Sequence, residues 1–385
     1  MPNKVKAAVM TGPGKIEIQN FPYPELRDPG AMIMKMEMSG ICGTDKHTFE
    51  GRSKQYAGTS AETDTPFPII PGHENTGIVA EIGDYARKHM EFYGQELKEG
   101  DRVTMSPDFV CGECWYCRNT FGYPWCENMK AYGNAFPTTM KPSLFGGWAE
   151  YMYIMPGTFV YKVPDDMPPE ISVLSELFTV SYAVDRAKEG YSLAHQGFGA
   201  ADTVVIQGVG PMGLAALVKS RILGAGDIIA VDKSDFRLDM AGEFTADYQL
   251  NIDRTTREER IARVMELTHG RGADLVVECT GSPHAVIEGL DMLRKGGTYI
   301  EAGNFVDNGT TEINVNRHLC AKNVRLFGVT NHPFSHYGAS LKLMSKYSGI
   351  FPFHKFVTHH YKIDQAEAGL RRSFEPDTMK IVIEQ

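Results

Sequence analysis

No run of about 18 apolar residues, the length a membrane-spanning helix requires, occurs in this 385-residue chain. The first segment, Met1 to Ile18, alternates charged and apolar residues and lacks the continuous apolar stretch of a secretory leader. A cytoplasmic protein with no membrane partner is therefore the expectation. Basic charge is also in short supply, with 39 Lys and Arg against 48 Asp and Glu, a formal net charge of −9. That balance creates no broad positive field and argues against a nucleic-acid binder. Internal repeats and low-complexity tracts are absent. With 42% hydrophobic and 23% charged residues, the composition excludes a disordered, collagenous or coiled-coil chain. At about 150 residues per domain, the length suggests two or three domains.

What is present changes texture along the chain. The first 160 or so residues carry short alternating runs between Gly- and Pro-rich turns, among them Val5 to Met10, Met32 to Met38, Gly77 to Ile82 and Arg102 to Met105. Such runs read as an all-β region. From about residue 172, short apolar strands alternate with longer helical patterns. Thr203 to Gln207, Ile228 to Val231, Leu275 to Glu278, Thr298 to Glu301 and Val324 to Phe327 are candidate strands. Pro211 to Leu223, Arg257 to Thr268 and Pro283 to Leu293 are candidate helices. Alternation of this kind implies βαβ units and a parallel sheet, an α/β fold beside a β-rich one. The tail returns to short mixed elements from about Asn331.

The strand at Thr203 runs into Gly208-Val-Gly210-Pro211-Met212-Gly213 and then an amphipathic helix. In that context a G-x-G-x-x-G turn suits a dinucleotide pyrophosphate, with Gly210 allowing backbone approach and Gly213 close helix-to-strand packing. Asp232 ends the next strand 19 residues after Gly213, where an acid can bind the adenosine ribose hydroxyls and repel a 2′-phosphate. NAD is favoured over NADP, although Lys233 and Arg237 beside this acid weaken the preference.

Seven cysteines make an odd count, and Cys111, Cys114, Cys117 and Cys126 crowd into 16 residues. Four thiolates at these spacings can wrap one tetrahedral zinc and leave no open position, as a structural site requires. Cys279 and Cys320 have no evident partner and read as core. A second, dispersed set comprises Cys42, His73 and Glu74. Taken alone, Cys42 suits a core position as well as a ligand, and His73 suits a satisfied buried imidazole.

The sequences Cys42-Gly-Thr-Asp-x-His47, Gly72-His-Glu74, the four-cysteine loop, Gly146-Gly-Trp-Ala-Glu-Tyr151 and Gly208-x-Gly-x-x-Gly213 occur in this order. Together they resemble the zinc-containing medium-chain alcohol dehydrogenases, nearest the polyol (sorbitol) and threonine dehydrogenase branch. The resemblance covers nearly the whole chain. It implies a GroES-like β-rich catalytic domain, residues 1–177 and 330–385, and a Rossmann doubly wound coenzyme domain, residues 178–329. It further implies two zinc ions per chain, and Cys42, His73, Glu74 and Glu176 as the residues around the catalytic one. Glu176 is the softest match, because Leu177 replaces the family's usual proline. The resemblance gives Thr44 the contact to the substrate oxygen, His47 the outer end of a proton relay, and Asp45 the orientation of the metal-binding histidine.

The activity so implied is oxidation of a secondary alcohol or polyol, or reduction of the matching carbonyl, with hydride passing to nicotinamide. The alternatives on the same scaffold are a metal-free quinone or enoyl reductase and a non-catalytic binding protein. Arg52, Lys54 and Tyr56 lie in a long segment after His47 and suggest a polar or anionic small-molecule substrate. Residues 85–97 read as a charged surface excursion. A homodimer or homotetramer is the implied assembly.

Overall fold

Val204–Gln207 is buried at every position, and the reason is its place at the centre of a six-stranded parallel sheet. The structure is a computed structural model and describes residues 2–52, 54, 55, 62–120, 125–188 and 198–385. The chain divides into two units, Met1–Thr179 with Pro333–Gln385, and Val180–His332. Among the described residues no helix is long and apolar enough to cross a membrane.

In the second unit the strands lie in the spatial order Tyr248–Asn251, Ile228–Asp232, Val204–Gln207, Ala273–Glu278, Leu293–Glu301 and Arg325–Gly328, every pair parallel. Numbered along the chain this is 3-2-1-4-5-6, the doubly wound order of dinucleotide-binding folds. Val205, Ile229, Val276 and Tyr299 form its core with Leu290 and Met292 from the helix Pro283–Met292. The helix Pro211–Ile222 begins with proline, whose missing N–H costs nothing at a first turn. The helix Arg257–Leu267 begins with a reciprocal cap between Thr256 and Glu259.

The first unit is built on a seven-stranded, mostly antiparallel sheet. Its path runs Val160–Lys162, Arg102–Met105, Glu74–Ile82, Met32–Gly40, Lys380–Glu384 and Val357–Lys362, with Tyr151–Ile154 also pairing Met32–Gly40. Met32–Gly40 sits in the middle, and its four methionines, Met32, Met34, Met36 and Met38, are all buried, while Lys35 between them is exposed. The chain's last strand, Lys380–Glu384, pairs antiparallel with it, Val382 opposite Gly40. Residues from the two ends of the sequence thereby become neighbours.

Two expectations are corrected. Residues 85–97 are not a surface excursion: Ala86, Met90 and Leu97 are buried in the core of the first unit, and Glu91 accepts the amides of Tyr93 and Gln95. Lys88 and Glu96 face solvent, while Glu91 and the apolar residues Ala86, Met90 and Leu97 anchor the segment. Cys320 is not core but exposed at the end of the short helix Val315–Cys320, and Cys279 is half-buried. A lone cysteine in a turn carries no periodicity from which burial can be read.

Candidate functional site

Cys42 stands at the N-terminus of the helix Gly43–Phe49, and Asp45 at its third position accepts the Cys42 amide at 2.8 Å. The helix turns Asp45, Thr48 and Phe49 inward. Thr44 and His47, three residues apart, share one of its faces. Thr44 Oγ1 lies 3.9 Å from Cys42 Sγ. His47 is mostly buried, its Nδ1 3.9 Å from Glu50 Oε2. Burial, and next the Arg52 charge, hold its imidazole below the usual histidine range, so it is neutral at pH 7.

His73 and Glu74 lie where the chain enters the strand Glu74–Ile82. Gly72 before them has φ +92°, and a Cβ there would come within 2.4 Å of both Ser39 Oγ and the Trp148 ring. Trp148 is wholly buried and its amide binds the Pro71 carbonyl, while the Gly147 amide binds that of Gly72. The Gly146-Gly-Trp motif is therefore the clamp on the loop that presents His73. The other Asp45 oxygen accepts the Gly72 amide at 3.4 Å and lies 3.8 Å from His73 Nδ1. With Nδ1 turned to Asp45, Nε2 is the nitrogen left to face a metal.

Donor atoms of Cys42, His73 and Glu74 lie within 4.8 Å of one another. That spread suits ligands about 2.0–2.3 Å from one ion. A thiol, an imidazole and a carboxylate are the zinc donor set, and Glu74 Oε2 is a buried oxygen without a hydrogen-bond partner, so the residues fit a cation. Burial pulls the His73 imidazole down, but Cys42, Asp45 and Glu176 together push it well above its ordinary value. Glu176, on the helix Ser175–Val180, is not one of the three converging donors, although it interacts electrostatically with Glu74 and His73. Burial, and next the Glu74 charge, raise its carboxyl to about 7.

Two buried charges in this neighbourhood carried no motif. Lys380 Nζ donates to Glu74 Oε1 at 2.6 Å. Asp108 is buried near His73, its carboxyl raised to about 7 by burial. A lysine inside the apolar run Met379 to Ile383 is the sequence signal that would have drawn attention to the first.

The thiols of Cys111, Cys114, Cys117 and Cys126 form a second cluster within 4.8 Å, with no disulfide. Cys111 Sγ accepts the Cys114 amide, Cys114 Sγ the Cys117 amide, and Cys126 Sγ the amides of Cys111 and Asn128. The Glu113 amide is the largest influence bringing the Cys111 thiol down to about 6. The Cys117 amide likewise lowers the Cys114 thiol, whereas burial raises that of Cys117 and pushes that of Cys126 up to about 12; four converging thiols are the donor set of a structural zinc.

In the second unit, a Cβ at Gly213 would strike the Gly208 carbonyl at 1.8 Å, so only glycine lets the helix Pro211–Ile222 pack there. Gly210 faces open space except for the Arg237 guanidinium, 3.6 Å from where its Cβ would be. Pro211 and Met212 form the first turn of that helix. Asp232 is buried at its strand's end. It accepts the Val209 amide at 2.9 Å on one oxygen and the Ser234 amide at 2.9 Å on the other, while Lys233 points to solvent. The acid thus braces the glycine turn, a role that sequence spacing did not suggest, and two carboxylate lone pairs remain for a ribose.

The alcohol dehydrogenase GroES-like domain model matches residues 28–165, and the zinc-binding dehydrogenase model matches residues 211–346. The chain is 33% identical to 5-exo-hydroxycamphor dehydrogenase of Pseudomonas putida over 365 residues, covering 95% of this chain and 94% of that protein. The chain belongs to the zinc-dependent medium-chain alcohol dehydrogenases. Erythritol/L-threitol dehydrogenase of Mycolicibacterium smegmatis is 30% identical over 371 residues, covering 96% of this chain and 94% of that one. A solved alcohol dehydrogenase of Thermotoga maritima matches with a TM-score of 0.88 at 30% identity over 99% of each chain. This medium-chain dehydrogenase is therefore an NAD(P)-linked oxidoreductase made of a GroES-like and a Rossmann domain.

Proposed function

We propose that this protein is an NAD-preferring dehydrogenase of neutral secondary alcohols, polyols foremost, acting in the cytoplasm as a homodimer or homotetramer. The observation that carries the reading is the convergence of Cys42, His73 and Glu74 donors, braced by Asp45. Cys42 and His73 are the constant metal ligands in this reading, with Glu74 and Glu176 the carboxylates available to the same ion. Zinc bound there would supply Lewis acidity that makes an alcohol hydroxyl acidic, and NAD would supply the hydride acceptor.

The protein's own residues handle orientation and the proton. Thr44, one helical face from His47, accepts the substrate proton at Oγ1 and passes it outward. His47, neutral at pH 7, takes it and releases it to solvent. Asp45 holds the two ligand-bearing segments in register. Asp232 favours a free ribose 2′-hydroxyl over a phosphate.

Neutral substrates are favoured because Arg52 is paired with Glu50, and Lys54 with Glu62 at 3.0 Å. Tyr56 lies outside the described residues. Hydroxycamphor and erythritol, which name the two relatives, both present a secondary hydroxyl. Seven free cysteines suit a reducing compartment. The outer strand Arg325–Gly328, with Leu326 exposed, offers an edge for a second copy.

Purified protein should hold about two zinc ions per chain, one of them lost in Cys42→Ala and the other in Cys111→Ala. It should reduce NAD with at least one member of a panel of tetritols, pentitols, hexitols and cyclic secondary alcohols. Zinc confined to the cysteine lobe, together with reduction of enones or quinones, would establish the metal-free reductase instead.

A further inference from the structure

Lys380 is 3% exposed, deep in the first unit, and nothing in the fold demands a charge there. It opens the last strand, Lys380–Glu384, whose other central residues are apolar and buried. A buried ammonium is costly unless it is paired and hydrogen-bonded. This one donates to Glu74 Oε1 at 2.6 Å and to the Ile41 carbonyl at 3.2 Å, the residue just before Cys42. Cys42 and Glu176 also interact with it electrostatically. The cation is therefore surrounded by the residues that would surround the zinc.

Glu74 is held in an unusual way. One oxygen is bound to Lys380 and the other, buried, has no hydrogen-bond partner. Its carboxylate occupies the space left by the missing side chain of Gly40, where a Cβ would meet Oε2 at 2.0 Å. An ammonium and a zinc ion are like charges that compete for one carboxylate. A short, charge-assisted bond to Lys380 lowers what Glu74 gains by joining a metal.

We infer that Lys380 is a positioning residue that restrains Glu74 from ligation and so keeps one coordination position of the catalytic zinc open for substrate. The inference rests on the metal site proposed above. Without the ammonium, Glu74 has a buried charge and one strong cation within reach, so it ligates and closes the site.

The test uses the full-length zinc protein and compares wild type with Lys380→Met, Lys380→Arg, Glu74→Gln and the double variant Lys380→Met/Glu74→Gln. Release of the Cys42-dependent zinc to a chelator is followed, as is the visible spectrum after cobalt replaces that zinc. Lys380→Met should slow release about tenfold or more, shift the cobalt bands and lower kcat. Adding Glu74→Gln should return the release rate and the bands to within about twofold of wild type. Lys380→Arg, which keeps the charge, should match wild type in both, and Lys380→Gln, with the same shifts expected as for Lys380→Met, carries the test if Lys380→Met does not fold. Unchanged or faster release with unchanged bands in Lys380→Met would overturn the inference, leaving Lys380 a brace for the Ile41 carbonyl. A shift in Lys380→Arg as large as in Lys380→Met would overturn it too. Absence of any Cys42-dependent zinc would instead overturn the proposed function, and this inference with it.

Discussion

Asp45 ties His73 to Cys42: one carboxylate accepts the Cys42 amide, accepts the Gly72 amide with its other oxygen, and stands 3.8 Å from His73 Nδ1. Two segments separated by 27 residues are thereby held in one geometry by a buried side chain. Burial pushes this carboxyl up, against the pull of His73 and the Cys42 amide, so its charge depends on those partners.

Asp45→Asn should therefore weaken the Cys42-dependent zinc by about 10–100-fold while leaving the cysteine-lobe zinc untouched. Chelator competition read by zinc content measures both in one sample. Equal loss of the two ions would mean that the substitution had unfolded the domain.

His47 governs the acid side of the pH profile. Its imidazole lies below the ordinary 6.5, through burial first and Arg52 second, so it is already neutral at pH 7. The acid limb of alcohol oxidation should fall below pH 6.5 and move upward in Arg52→Gln. His47→Gln should lower kcat about tenfold or more, with partial rescue by added imidazole.

Asp232→Ala removes the acceptor for two backbone amides as well as the ribose acid. It should raise KM for NAD by about tenfold or more and also lower the melting temperature, since buried amides are left unpaired. Wild type should show a higher kcat/KM with NAD than with NADP, and the variant a smaller ratio. A higher wild-type value with NADP would remove the argument from Asp232.

Glu278 and Glu301 face each other at the ends of paired parallel strands. Burial, and next the Glu301 charge, raise Glu278 to about 8. The folded state thus binds a proton more tightly than the unfolded one, so its stability contribution is full below about 4.5 and is lost as pH rises toward 8. Glu278→Gln should raise the melting temperature at pH 8 by about 2–4 °C more than at pH 5. Equal shifts at both pH values would show that Glu278 binds its proton no more tightly in the folded state.

Much of the Rossmann domain was legible before any coordinates. Val204–Gln207, Ile228–Asp232, Ala273–Glu278 and the helices beginning at Pro211, Arg257 and Pro283 lie within a few residues of their expected bounds. Their periodicities are local, and proline, capping residues and glycine mark their ends. The strands Lys15–Pro22 and Tyr248–Asn251 give little sequence signal, because half-exposed edge strands carry a weak apolar pattern.

By itself the sequence determined what depends on neighbours along the chain: the four-cysteine spacing, the glycine turn with its acid, and the order of motifs that marks the family. Tertiary structure alone decided that Lys380 meets Glu74, 306 residues away, that Asp45 spans two loops, and that Asp232 braces the turn. It also decided that the segment 85–97 is anchored and that Cys320 is exposed. Spacing encodes local geometry, whereas a buried ion pair exists only where sheet pairing brings distant strands together and removes water from both charges. Strand pairing between Met32–Gly40 and Lys380–Glu384 supplies that condition, and no motif at either end records it.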